Sequence, residues 1–435
     1  MTLPEHHVSN DEGSSAGEYG AGGYWGSRMR RYPATVADTS DALVPPVDPT
    51  DPDLPVVPVT PQVPPVADAL TVASVVLPRQ ASVVRSGQGG KYRTGDPELD
   101  RRIEELLDVA AARSGIVGRD RNRDQLREIL TSGVLMAGDH ADRLDLKIAN
   151  TALQEIREAY QVFGPHRARR KITIFGSART ERSDPLYEQT RELAAAIAAH
   201  DWMVITGAGP GIMAAGLEGA GRANALGVTI RLPFESGATE FVDAENLVEM
   251  RYFFTRKLAL IRESSGFVVM PGGFGTLDET FELLTLLQTG KATPVPVVLL
   301  GLGQGYWHAW DQFVTTIISQ GYAGDTDRCL WKVTNSVDEA VAELTHFYAN
   351  FHSLRWANDT LVIRVHTLPS PARLTELSEE FAMWLGPDGM RATAALPAEV
   401  SDRDQLDLPR VRMQFNRRQP GRLRQIIDAL NAETP

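Results

Sequence analysis

Residues 171–345 alternate short apolar runs with amphipathic segments, and three of the runs end on glycine. "KITIF" leads into Gly176-Ser177, "WMVIT" into "GAGPG", and "FVVM" into "PGGFG". Runs this short and this apolar are what a parallel strand covered on both faces requires. The segments between them carry apolar residues at helical spacing, as Leu277, Phe281, Leu284 and Leu287 do after "PGGFG". Two more runs, "GVTIRLP" and "PVPVVLLG", bring the legible strands to five. Repeated strand–helix units predict an α/β fold built on a doubly wound parallel, Rossmann-like sheet.

The flanks follow other patterns. Residues 1–92 are Gly/Ser-rich ("SSAGEYGAGGYWGS") and then Pro-rich ("ALVPPVDPTDPDLPVVPVTPQVPPVADAL"), a composition that predicts a disordered tail. Asp96-Pro97 reads as an N-cap with proline at the first helical position. Three helical stripes then fill residues 96–165, ending at Gly164-Pro165. The central block takes residues 166–352, with "DEAVAELTHFYANFH" as its closing helix. Residues 358–435 predict a small α+β appendage. Its strands are "TLVIRVH", "RVRMQF" and "MRATAALP", and its helices "SPARLTELSEEFAMWL" and "QPGRLRQIIDALN".

Bulk properties narrow the function classes. A net charge of −12 argues against a nucleic-acid partner, whose footprint is basic. The single cysteine, Cys329, allows no intramolecular disulfide, and the nine histidines show no metal-ligand spacing. No apolar run approaches the roughly 18 residues of a membrane span, and no basic-then-apolar leader opens the chain. A cytoplasmic protein without membrane contact is the expectation.

In a doubly wound sheet, ligands bind at the carboxyl ends of the strands. Three glycine loops leave those ends: "FGSAR" with Gly176 and Ser177, "TGAGPGIM" with Gly207, Gly209 and Gly211, and "MPGGFGTLDE" with Gly272, Gly273 and Gly275. Backbone amides in such loops approach an anion closely, and the helix N-terminus that follows favours it. Thr276 is placed to cap that helix. Asp278 and Glu279, however, put negative charge beside the anion site. A dinucleotide fits poorly: "GAGPGI" matches G-x-G-x-x-G loosely, and the strand "GVTIRLP" ends without the acid that would hold a ribose, Glu235 being a poor substitute. The P-loop pattern does not occur.

The segment Pro271–Glu279, P-G-G-x-G-T-x-x-E, follows an Arg256-Lys257 pair on a helix. With "GAGPGIMAA", "FGSAR", "LLQTGK" and "GYW", it resembles the LOG ("lonely guy") family over about residues 165–350. These enzymes are nucleoside 5′-monophosphate phosphoribohydrolases, many of them labelled lysine decarboxylases. Ala208 and Ala214 depart from the family pattern, and Phe254 or Thr255 stands where a histidine is usual. The long flanks look more like the longer bacterial nucleotide nucleosidases.

The resemblance implies hydrolysis of an AMP-like nucleoside 5′-monophosphate to free base and ribose 5-phosphate, with neither metal nor organic cofactor. It casts Arg256 and Glu279 as catalytic. Gly176, Ser177, Gly207, Gly209, Gly211, Met213 and Lys257 would bind substrate, together with Gly272, Gly273, Gly275 and Thr276. Asp278 and Glu282 remain ordinary acids at a helix start. A homodimer or higher oligomer is implied, and the apolar helix "FFTRKLALI" offers surface for it. Two other readings stay open: a non-catalytic nucleotide sensor of the same fold, and a pyridoxal-phosphate decarboxylase, for which no catalytic-lysine context is visible.

Overall fold

The computed structural model describes residues 92–114, 120–232, 240–303 and 305–432. The tail expected over residues 1–92 lies outside them except for its last residue, and so does Glu235. Three helices come first: α1 (Pro97–Ser114), α2 (Asp120–Leu135) and α3 (Arg143–Phe163). The Asp96 carboxylate accepts the N–H groups of Glu98 and Leu99, so it does cap α1.

The parallel sheet has seven strands: β1 (Lys171–Phe175), β2 (Met203–Thr206), β3 (Ala225–Ile230), β4 (Leu247–Met250), β5 (Gly266–Val269), β6 (Val297–Leu300) and β7 (Lys332–Thr334). Their spatial order is β4-β3-β2-β1-β5-β6-β7. Between them run α4 (Pro185–Ala199), α5 (Ile212–Ala220), α6 (Phe253–Glu263), α7 (Phe274–Gln288) and α8 (Gly305–Ser319), and α9 (Val337–His346) follows β7. Alternate residues of β1, β2, β5 and β6 feed two separate cores. Met203, Ile205, Phe267, Val269, Val297 and Leu299 pack on the side of α3, α6, α7 and α8. Ile172, Ile174, Val204, Val268 and Val298 pack against α4 and α9. Both faces are covered, which is why the strands read as unbroken apolar runs.

Two strands go beyond the five legible in the sequence. Both β4 and β7 are edge strands, and each exposes residues that a buried strand would not: Glu249 in β4, Val333 in β7. The expected closing helix also differs. α9 stops at His346, because the amides of Asn350 and Phe351 donate to Asn431 Oδ1 at 2.9 and 2.8 Å instead of continuing a helical ladder.

After that turn comes a four-stranded antiparallel sheet in the order β10-β11-β9-β8. Its strands are β8 (Phe351–Ala357), β9 (Thr360–Val365), β10 (Arg391–Thr393) and β11 (Arg410–Gln414), accompanied by α10 (Pro371–Glu380), α11 (Pro397–Asp402) and α12 (Pro420–Asn431). Phe351, Ile363, Leu377, Val411 and Ile426 give it a core of its own. No described helix is long and apolar enough to cross a membrane.

Strand order is what builds the site. The chain winds outward from β1 to β4, then returns to the other side of β1 as β5. The reversal between β1 and β5 is the topological switch point, where a crevice opens at the carboxyl ends. The loops after β2, β1 and β5 are therefore neighbours. Ile212 N–H donates to Ser177 O at 3.0 Å, and Ser177 N–H to Pro271 O at 3.4 Å, tying the three together.

Candidate active site

The loop after β5 enters α7 without a side-chain cap: Gly273 holds the N-cap position, and the helix starts at Phe274. Thr276 is thus not the cap the sequence suggested. It lies in the first turn, buried, with its Oγ1 only 2.2 Å from where a Cβ on Gly272 would sit. Only a glycine at position 272 leaves room for it there. An uncapped helix start keeps its first amides open to an anion.

These loops wall a cleft of about 710 Å3. It is lined by Gly176 and Ser177 after β1, by Gly207, Gly209 and Met213 after β2, and by Gly272, Gly273, Gly275, Thr276 and Glu279 after β5. Arg256 of α6 lies across from them. Its Nε donates to Val228 O at 3.0 Å, and Nη1 is 3.7 Å from Glu279 Oε1. A Cβ on Gly207 would fall 2.0 Å from Arg256 Nη2, so the guanidinium occupies space that any other residue at position 207 would take.

Glu279 is mostly buried, and burial pushes its carboxyl up to about 7. Arg256 pulls the other way, and Asp278 adds to the rise. A group poised there exchanges a proton near neutral pH, the behaviour expected of a general acid or base.

Two of the residues singled out from sequence do not line the cleft. Lys257 turns away from the cleft, its Nζ 2.8 Å from Asp278 and 2.7 Å from Glu282, so the two acids that crowd the helix start serve to pair it. Burial works against its charge, but these carboxylates hold it above the ordinary lysine value. Gly211, at φ 67°, sits behind the cleft against the backbone of Ser177 and Ala178. Ala208, where the family pattern has glycine, keeps left-handed backbone at φ 55°, at a cost of about 1 kcal/mol.

The cleft also gains residues that sequence reasoning did not single out. Tyr306, at the start of α8, donates its hydroxyl to Gly272 O at 2.7 Å and so clamps the glycine turn. "GYW" was the only signal for it. Phe274, the variable position of the motif, is 94% exposed at the rim. Thr229, Ile230, Leu232 and Phe253 line the cleft as well.

A doubly wound sheet with three glycine loops at its switch point, facing a buried arginine and carboxylate, defines a Rossmann-like α/β protein with a small-ligand cleft. Residues 210–344 match the family model described as "Possible lysine decarboxylase". Over part of its length the chain is a distant homologue of the plant LOG proteins. It is 32% identical over 92 residues to the cytokinin riboside 5′-monophosphate phosphoribohydrolase LOG1 of Arabidopsis thaliana, covering 21% of this chain and 42% of the relative. To LOG2 of the same plant it is 25% identical over 166 residues, covering 37% of this chain and 75% of the relative. The match thus spans less than half the length of LOG1. Among solved structures, the molybdenum cofactor carrier protein of Chlamydomonas reinhardtii aligns at 24% identity over 40% of this chain and 94% of its own, with a TM-score of 0.30.

Proposed function

We propose that the cleft hydrolyses the N-glycosidic bond of a nucleoside 5′-monophosphate of AMP type, giving free base and ribose 5-phosphate. The observation that carries this reading is Glu279, a mostly buried carboxylate 3.7 Å from a buried guanidinium beside the glycine loops. Acid and anion site serve opposite ends of one substrate. The amides of Gly272, Gly273 and Gly275, with Ser177 and Thr276, hold the 5′-phosphate at the start of α7. Glu279 faces the sugar.

The bond between C1′ and the base nitrogen breaks, its electron pair leaves with the base, and positive charge builds on the ribose. A carboxylate at that point stabilises the charge more in the transition state than in the ground state. Water oxygen then bonds to C1′, Glu279 takes its proton, and that proton passes on to the departing base. Arg256 holds the nucleotide and eases negative charge on the leaving base. Lys257, paired with Asp278 and Glu282, braces α6 against α7.

The activity named for the plant relatives supports the reaction class. Incubation with a panel of nucleoside 5′-monophosphates, followed by chromatography for free base, tests it. Release from at least one member is expected. Calorimetric binding without release from any of them would replace this reading with that of a nucleotide sensor.

A further inference from the structure

α3 lies outside residues 210–344 that match the family model, yet one of its side chains reaches the helix carrying Arg256. Glu155 is 4% exposed. Its Oε1 accepts the backbone N–H of Arg251 at 2.7 Å, and its Oε2 accepts the hydroxyl of Thr255, which is itself buried. α6 begins at Phe253, and its N-cap residue, Tyr252, supplies no side-chain cap. A carboxylate from 96 residues upstream instead ties the chain just ahead of the N-cap to a side chain of the first turn. It satisfies one amide ahead of the first turn and one hydroxyl within it, and it sets negative charge at the positive end of the helix.

Thr255 directly precedes Arg256. Unanchored helix starts fray, and a frayed first turn cannot hold the next guanidinium on Val228 O and 3.7 Å from Glu279. We propose that Glu155 is a positioning residue for Arg256, acting through Thr255, so that the helical region upstream of the sheet forms a working part of the cleft. The proposal rests on the reading of Arg256 and Glu279 as the reactive pair, and its test separates the two.

The groups that face Glu279 are Arg256 and Lys257 from α6 and Asp278 and Glu282 from α7, with Arg256 the strongest attraction. Withdrawal of Arg256 therefore moves the Glu279 titration upward, whether or not the protein is an enzyme. Its carboxyl carbon is followed against pH by NMR in the full chain, and base release is measured in parallel. Glu155→Ala is expected to raise the Glu279 midpoint and to lower kcat about tenfold or more. In an Arg256→Ala background, Glu155→Ala should change neither readout further.

A folded Glu155→Ala protein whose Glu279 titrates as in the wild type overturns the proposal, as do effects that simply add to those of Arg256→Ala. If the wild type releases no base but the midpoint shifts as stated, the proposed reaction fails and the positioning role stands. Should Glu155→Ala not fold, Thr255→Val preserves side-chain volume and carries the same two measurements.

Discussion

Glu279 is the residue on which chemistry and stability pull apart. Glu279→Gln keeps size and hydrogen-bonding capacity but removes the charge, and is expected to lower turnover by about two decades or more, roughly 3 kcal/mol. Nucleotide binding, measured by calorimetry, should persist. In the wild type, kcat/KM should fall as pH drops through about 7, because the protonated carboxyl cannot accept a proton from water. Stability runs the other way. The folded-state value lies above the ordinary 4.5, so the stabilisation linked to this group is present below about 4.5 and is lost as pH rises through about 7. Glu279→Gln lacks that loss. Denaturant unfolding should therefore show the variant gaining on the wild type between pH 5 and pH 8, by about 2 kcal/mol. Parallel curves across that range would mean that burial does not hold the carboxyl up.

At the scale of elements, the glycine loops differ in what they permit. Gly207 makes room for Arg256 Nη2 and for Met213 Sδ, which a Cβ would meet at 2.0 and 2.5 Å. Arg256 is tethered to Val228 O, so it has little freedom to yield. Gly207→Ala is expected to lower the melting temperature and to reduce base release by about 100-fold. Gly273, with nothing within 4 Å of a Cβ, should accept alanine without loss of melting temperature. Equal melting losses for the two variants would show that Gly207 matters only as a flexible link. The helix starts divide in a similar way: α1 is capped from its own sequence by Asp96, whereas the start of α6 has no side-chain cap and is tied by Glu155 of another helix through Arg251 N–H and the Thr255 hydroxyl.

For the whole molecule, the notable surface is apolar and adjoins the cleft. Phe253, Phe254 and Leu258 of α6 remain about half exposed at 52%, 54% and 49%, and Phe274 stands beyond them at the rim. Exposed apolar side chains clustered on one helix beside the cleft favour an interaction site, and a two-fold contact of α6 with a second copy would cover them. The expected state is at least a homodimer. Light scattering at micromolar concentration should give a dimer mass or larger for the wild type and a monomer mass for Leu258→Asp. A wild-type monomer with full activity would end this reading.

Local chemistry alone determined the five inner strands of the parallel sheet, where glycine breaks them and most of the helical segments, because side-chain periodicity and backbone freedom act within a few residues. The motif from Pro271 to Glu279 and the Arg256-Lys257 pair were legible for the same reason. Only the tertiary structure decided what those residues do together. Strand order brought three distant loops to one crevice. Packing turned Arg256 into the cleft and Lys257 away from it, though they are neighbours in sequence. It ended α9 with an asparagine 80 residues away and placed Glu155 at the start of α6. The proton on Glu279 belongs to the same level: its rise to about 7 comes first from desolvation, and desolvation is set by whatever the folded chain lays against a side chain.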